Sequence, residues 1–171
     1  CRIPMEYDQS LLMEDIQLRR SLARFLAAKA DATRRQGDID SSYAAAMDCI
    51  RLGIRFENGG LLVDWLVGLA CRGIGHADLF RMIDELSVPQ LHAARHLLPK
   101  SETMKAEYNS TIERDRLWEE NAEGWRWHLT SLLQRLSVRI NPDGMNSWSE
   151  RVAEDSYKRA TAETELLITE I

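Results

Sequence analysis

Gly59-Gly60-Leu61-Leu62-Val63-Asp64-Trp65-Leu66-Val67-Gly68-Leu69-Ala70-Cys71-Arg72-Gly73-Ile74-Gly75-His76 is the stretch on which the fold turns. The paired glycines break the segment before it, because glycine supplies the left-handed conformation in which helices end. The segment after them is predicted to be helical to about Leu86. It is apolar nearly all round, from Leu61, Leu62 and Trp65 through Leu69 and Ile74 to Leu79, Phe80 and Ile83. A helix with no wide polar face is one enclosed by others. It does not read as a membrane span: Leu61 to Cys71 contains Asp64 and is followed by Arg72, whereas a span needs about 20 apolar residues. This third helical segment is therefore expected to be the spine of the core.

Working outward, the same grammar repeats. A first helix is predicted from near Ser10, with Leu11, Leu18, Leu22, Phe25 and Ala32 recurring on one face, and Gly37 ends it. Asp38 is a natural N-cap for a second helix to about Phe56, with apolar residues on two faces. Downstream, Ser87 to Gln90 forms a capping box for a short helix closed by Pro99. Ser101 opens a longer helical stretch with a stripe from Trp118 through Trp125 to Leu136 and a bend at Gly124. Asn141-Pro142-Asp143-Gly144 is the strongest turn signal, and Ser147 to Glu150 caps a last helix. No alternating stretch competes as a strand. The expectation is an all-α fold of about six helices in a single domain spanning residues 1–171.

The 171 residues, 44% apolar and 29% charged, can bury a core without staples. A net charge of -5, with cations in mixed-sign runs such as Glu113-Arg114-Asp115-Arg116, argues against a nucleic-acid partner. Cys1, Cys49 and Cys71 match neither a zinc module nor a redox pair, and the latter two are read as buried free thiols. The chain starts with Cys rather than Met, which we read as processing or trimming, with a lipoprotein cysteine as the less favoured alternative.

The run Gly37-Asp38-Ile39-Asp40-Ser41-Ser42-Tyr43-Ala44 through Leu52 resembles the turn and second helix of a tetratricopeptide repeat, with Ser42 and Cys49 where that family has small residues. No second copy occurs at the family's period, so the resemblance implies one helical hairpin and not a repeat array. The block from Gly59 to Ala70 also resembles an uncharacterised family of bacterial all-helical proteins. That resemblance implies no activity; because members often follow a membrane anchor, it leaves a cytoplasmic or an exported, anchored location open.

Asp64, Gly68, Cys71 and Gly75 share one narrow stripe at about 100° per residue. Each interior glycine costs about 1 kcal/mol relative to alanine, so something is expected to approach closely there. The favoured occupant is another helix, plausibly the second with Ala44, Ala45 and Ala46, with Asp64 satisfied by an arginine or a helix end. The functional alternative is a ligand cleft in which Asp64, Arg72 and His76 supply the orienting polar groups.

His92 and His96, spaced i, i+4, are candidate metal ligands, although no acid stands between them and an exposed histidine pair is the simpler reading. Trp127 and Trp148 are candidate interface anchors, whereas Trp118 and Trp125 lie on the apolar stripe. The acids at Asp84, Glu85, Glu119, Glu120 and Glu123 read as solvated helix faces. No phosphate-binding glycine loop or nucleophile elbow occurs, and no cofactor is implied. The chain therefore reads as a non-catalytic helical interaction or scaffold module with a protein or peptide partner. A small-molecule binding domain or enzyme around Asp64 is the alternative.

Overall fold

Glycine closes the first two helices. Gly37 and Gly59 hold φ of 79° and 83°, a region where a side chain would strain the backbone. The computed structural model describes residues 9–123 and 148–170. Within them run α1 (Gln9–Arg35), α2 (Ile39–Glu57), α3 (Leu62–Arg81), a 3-10 turn (Ile83–Glu85), α4 (Val88–Leu97), α5 (Ser101–Glu123) and α6 (Trp148–Glu170). No strand occurs among the described residues, and the all-α class read from the sequence is the observed one. The third helix ends earlier than expected, at Arg81, with the 3-10 turn completing the run toward Leu86. The bend at Gly124 and the turn at Asn141 to Gly144 lie outside the described residues.

The caps act as their residue types dictate. Asp38 accepts the Ser41 amide at 3.0 Å, and Gln90 accepts the Ser87 amide at 2.9 Å, each satisfying a helix-end donor. Gln90 also donates to Asp40 at 2.8 Å, while its carbonyl accepts the Tyr43 hydroxyl at 3.0 Å, so α4 is tied to the start of α2.

α1 and α2 form an antiparallel hairpin held by small residues. Ala23 and Cys49 are fully buried, and the buried Ser42 hydroxyl donates to the Ala30 carbonyl at 2.8 Å. Cys49 and Cys71 are free and buried, with the Cys49 thiol donating to the Cys71 carbonyl at 3.2 Å. Burial pushes the Cys49 thiol up to about 12, so it stays protonated and inert.

α3 runs antiparallel to α2 and packs on α1, α5 and α6 as well, which gives it the central place expected of the spine. One edge stays open at Ala70, Ala77 and Phe80. Nearer its N-terminus Trp65 meets Tyr108 of α5, their ring centroids 5.3 Å apart, and Tyr108 stacks on Tyr157 of α6 at 5.0 Å. Leu62, Leu69 and Ala153 fill in around them. A second cluster of Met47, Ile50, Leu79, Ala94, Leu98 and Leu167 joins α2, α3, α4 and α6. Each such aliphatic or aromatic side chain contributes about 1.5–3 kcal/mol of burial.

Candidate functional site

The small-residue stripe of α3 is occupied by α2. A Cβ on Gly68 would lie 2.7 Å from the Gly53 carbonyl oxygen and 2.8 Å from the Glu57 amide; one on Gly75 would lie 2.9 Å from the Ala46 carbonyl oxygen. A Cβ on Gly53 would meet the Arg72 amide at 2.6 Å. Gly53, Gly68 and Gly75 therefore let two helix backbones touch. Ala45 and Ala46 of the anticipated alanine run are buried, whereas Ala44 is exposed.

Of the three side chains considered for a ligand cleft, Arg72 and His76 come together and Asp64 does not. Asp64 lies in the first turn of α3, about 12 Å upstream of Arg72 at the helical rise. It is buried, accepts the Leu61 amide at 3.1 Å and accepts a guanidinium hydrogen bond from Arg19 of α1. Arg19 also pairs with Asp15 and lies 4.6 Å over the Phe56 ring. Asp64 thus caps α3 and pins α1 to it. Asp115 of α5 completes the cap by accepting the Leu62 amide at 3.1 Å.

Arg72 is only 1% exposed. Its Nη1 approaches Glu57 Oε2 at 3.1 Å without hydrogen-bond alignment, and its Nη2 donates to Met104 Sδ at 3.7 Å. Glu57 Oε1 and His76 Nε2 beside it, and Asp78 Oδ2 further along α3, are buried without a hydrogen-bond partner among the described residues. Burial is the largest influence on each. It pushes the Glu57 carboxyl up to about 7 despite the attraction of Arg72, lowers Arg72, and drives His76 down to about 3 with help from the Arg72 charge. At neutral pH His76 is uncharged and Glu57 is poised between its two forms. Glu57, Arg72 and His76 are all buried at the helix crossing.

His92 and His96 are exposed on α4. No group of three histidine, cysteine, aspartate or glutamate side chains among the described residues is placed to hold a metal ion. Trp127 lies outside the described residues; Trp148 is the first residue of α6, with its side chain outside the description. Sequence reading missed Glu57 and Arg19. Glu57 continues the inward 3–4 spacing of Ala46, Ile50 and Gly53 one residue past the expected helix end, a signal that was there to be read. Arg19 carried none.

A different surface stands open. α1 packs on α2 and α3 through Ile16, Arg19, Ala23, Leu26 and Ala30. Three other large apolar side chains point away: Leu18 is 68%, Phe25 64% and Leu22 42% exposed. The stripe that periodicity located on the first helix is thus not the face that α1 buries. The physical reason is fit. The α1–α2 crossing is built from Ala23, Ala30, Ser42 and Cys49, and a phenylalanine there would hold the backbones apart.

No protein-family model matches the chain, and neither a curated protein nor a solved structure is similar to it.

Proposed function

We propose that this chain is a non-catalytic helical interaction module whose binding surface is the outer face of α1. The observation that carries this reading is the row Leu18, Leu22 and Phe25, spaced i, i+4, i+7 and left in water while Ile16, Ala23, Leu26 and Ala30 form the inner face. Scattered single hydrophobics need no explanation, but an aligned set on one exposed helix face marks a surface for a partner. The buried state of Asp64, Arg72 and His76 favours a structural part for them over a ligand cleft.

Site-specific photo-crosslinking tests it. A benzophenone side chain at Ser21, between Leu18 and Leu22 on the exposed face, is expected to give a discrete adduct in the cells that make the protein. The same group at Asp48, on the exposed face of α2, is expected to give none. Equal labelling at both positions, or no adduct at Ser21, counts against the reading.

A further inference from the structure

The middle of α1 is basic. Ile16 to Ala30 holds four cations and no acid, in a chain with 27 acidic and 22 basic residues. Arg19 is spent on Asp64 and Asp15. Arg20, Arg24 and Lys29 are exposed and pair with no described residue. By contrast Asp31, the next acid, is tied to Arg35 at 2.8 Å.

The exposed side chains also follow a seven-residue order. Leu18, Phe25 and Ala32 recur at one position and Ser21 and Ala28 at the position three residues on, and all five are exposed. Ser21 lies between the Leu18 and Phe25 knobs and Ala28 follows Phe25, so small residues leave holes beside the large ones. That is the relief a second helix packs against. Arg24 on one side and Lys29 on the other hold the flanking positions that select a helical partner by charge.

We infer that the outer face of α1 receives an amphipathic helix whose apolar seam is flanked by glutamate or aspartate; this rests on the interaction reading above. Two other occupants fit less well. A second copy of α1 laid parallel sets Arg24 against Lys29, a like-charge pair. A bilayer accepts a broad apolar face, whereas here Ser21 separates the two large apolar side chains of the seam, Leu18 and Phe25, and Lys29 stands at its flank. With Arg24 and Lys29 flanking that seam and paired with no described residue, a helix bearing acids gains on both counts, packing and charge.

Two fluorescent synthetic peptides decide it, each of roughly three heptads with the same leucine seam, one flanked by glutamate and one by lysine. By anisotropy at low salt the glutamate peptide is expected to bind at least about tenfold more tightly, and its advantage shrinks with added salt. Arg24→Glu/Lys29→Glu is expected to reverse the preference, and Phe25→Ala to weaken both peptides.

Equal binding, or preference for the lysine peptide, overturns the acidic partner while leaving an interaction surface standing. Binding of neither peptide, with cosedimentation on phosphatidylglycerol vesicles, overturns it in favour of a lipid surface. A mass that doubles with concentration and returns to monomer in Phe25→Glu overturns it in favour of self-association. A loss of thermal stability in Phe25→Glu means that the chain itself covers the face, and overturns both readings.

Discussion

Glycine does opposite things at positions five residues apart on α3. At Gly68 a Cβ would press into the Gly53 carbonyl and the Glu57 amide, backbone atoms that cannot swing aside. At Gly73 the nearest atom is Glu163 Oε2 at 3.9 Å, an ordinary contact. Gly68→Ala is expected to destabilise by about 1–3 kcal/mol through overpacking, which for a chain of this size lowers Tm by roughly 2–10 °C. Gly73→Ala is expected to stabilise by about 0.5–1 kcal/mol, since alanine favours the helix and meets no obstacle. Thermal melts of the two variants side by side check both signs. The stripe was legible in the sequence as a row of small residues with an unexplained carboxylate at its head. What satisfied that carboxylate was not, because Arg19 lies 45 positions away and nothing in the local pattern links them.

At the scale of the element, α1 is the helix most dependent on one polar contact. Its inner face sets only Ile16 and Leu26 beside the small Ala23 and Ala30, and Arg19 is its charged anchor on Asp64. Removing the guanidinium leaves a buried carboxylate with the Leu61 amide alone, and breaking a buried pair from one side costs about 3 kcal/mol. Arg19→Ala is therefore expected to speed amide hydrogen exchange along α1 while amides in α5 and α6 keep their protection. Uniform acceleration throughout would mean that α1 does not open separately. Helix positions were readable from caps and breakers: Asp38, Ser87 with Gln90, and the glycines at 37 and 59 all sit where local chemistry required. Which face each helix buries was harder. Periodicity on α1 shows that a face exists but not what it faces, and the size of the facing residues decided the matter.

For the whole molecule, the buried crossing of α2 and α3 links stability to pH through two opposed groups. The Glu57 carboxyl is raised to about 7, so its contribution is fully present below its unfolded value near 4.5 and is lost as pH rises through 7. His76 is lowered to about 3, so its contribution is present above its unfolded value near 6.5 and is lost as pH falls toward 3. Between 4.5 and 6.5 the two slopes oppose each other. Glu57→Gln leaves the histidine alone, and stability across that window is expected to rise with pH. His76→Leu leaves the carboxyl alone, and stability is expected to fall with pH. Urea unfolding of both variants at several pH values measures the slopes, and equal slopes would show that neither group titrates as its burial requires.

The same whole-molecule view separates an interior crowded with small residues and closed polar pairs from an outer α1 face bearing large apolar and cationic ones. No helix among the described residues is long and apolar enough to cross a membrane. The most direct test of this division is Leu18→Glu/Phe25→Glu, followed by thermal melting and by crosslinking through the benzophenone at Ser21. Both side chains are mostly in water, so the expected result is a melting temperature within about 2 °C of the parent, together with loss of the Ser21 adduct. A collapse in melting temperature, or an adduct that survives the substitutions, would contradict it.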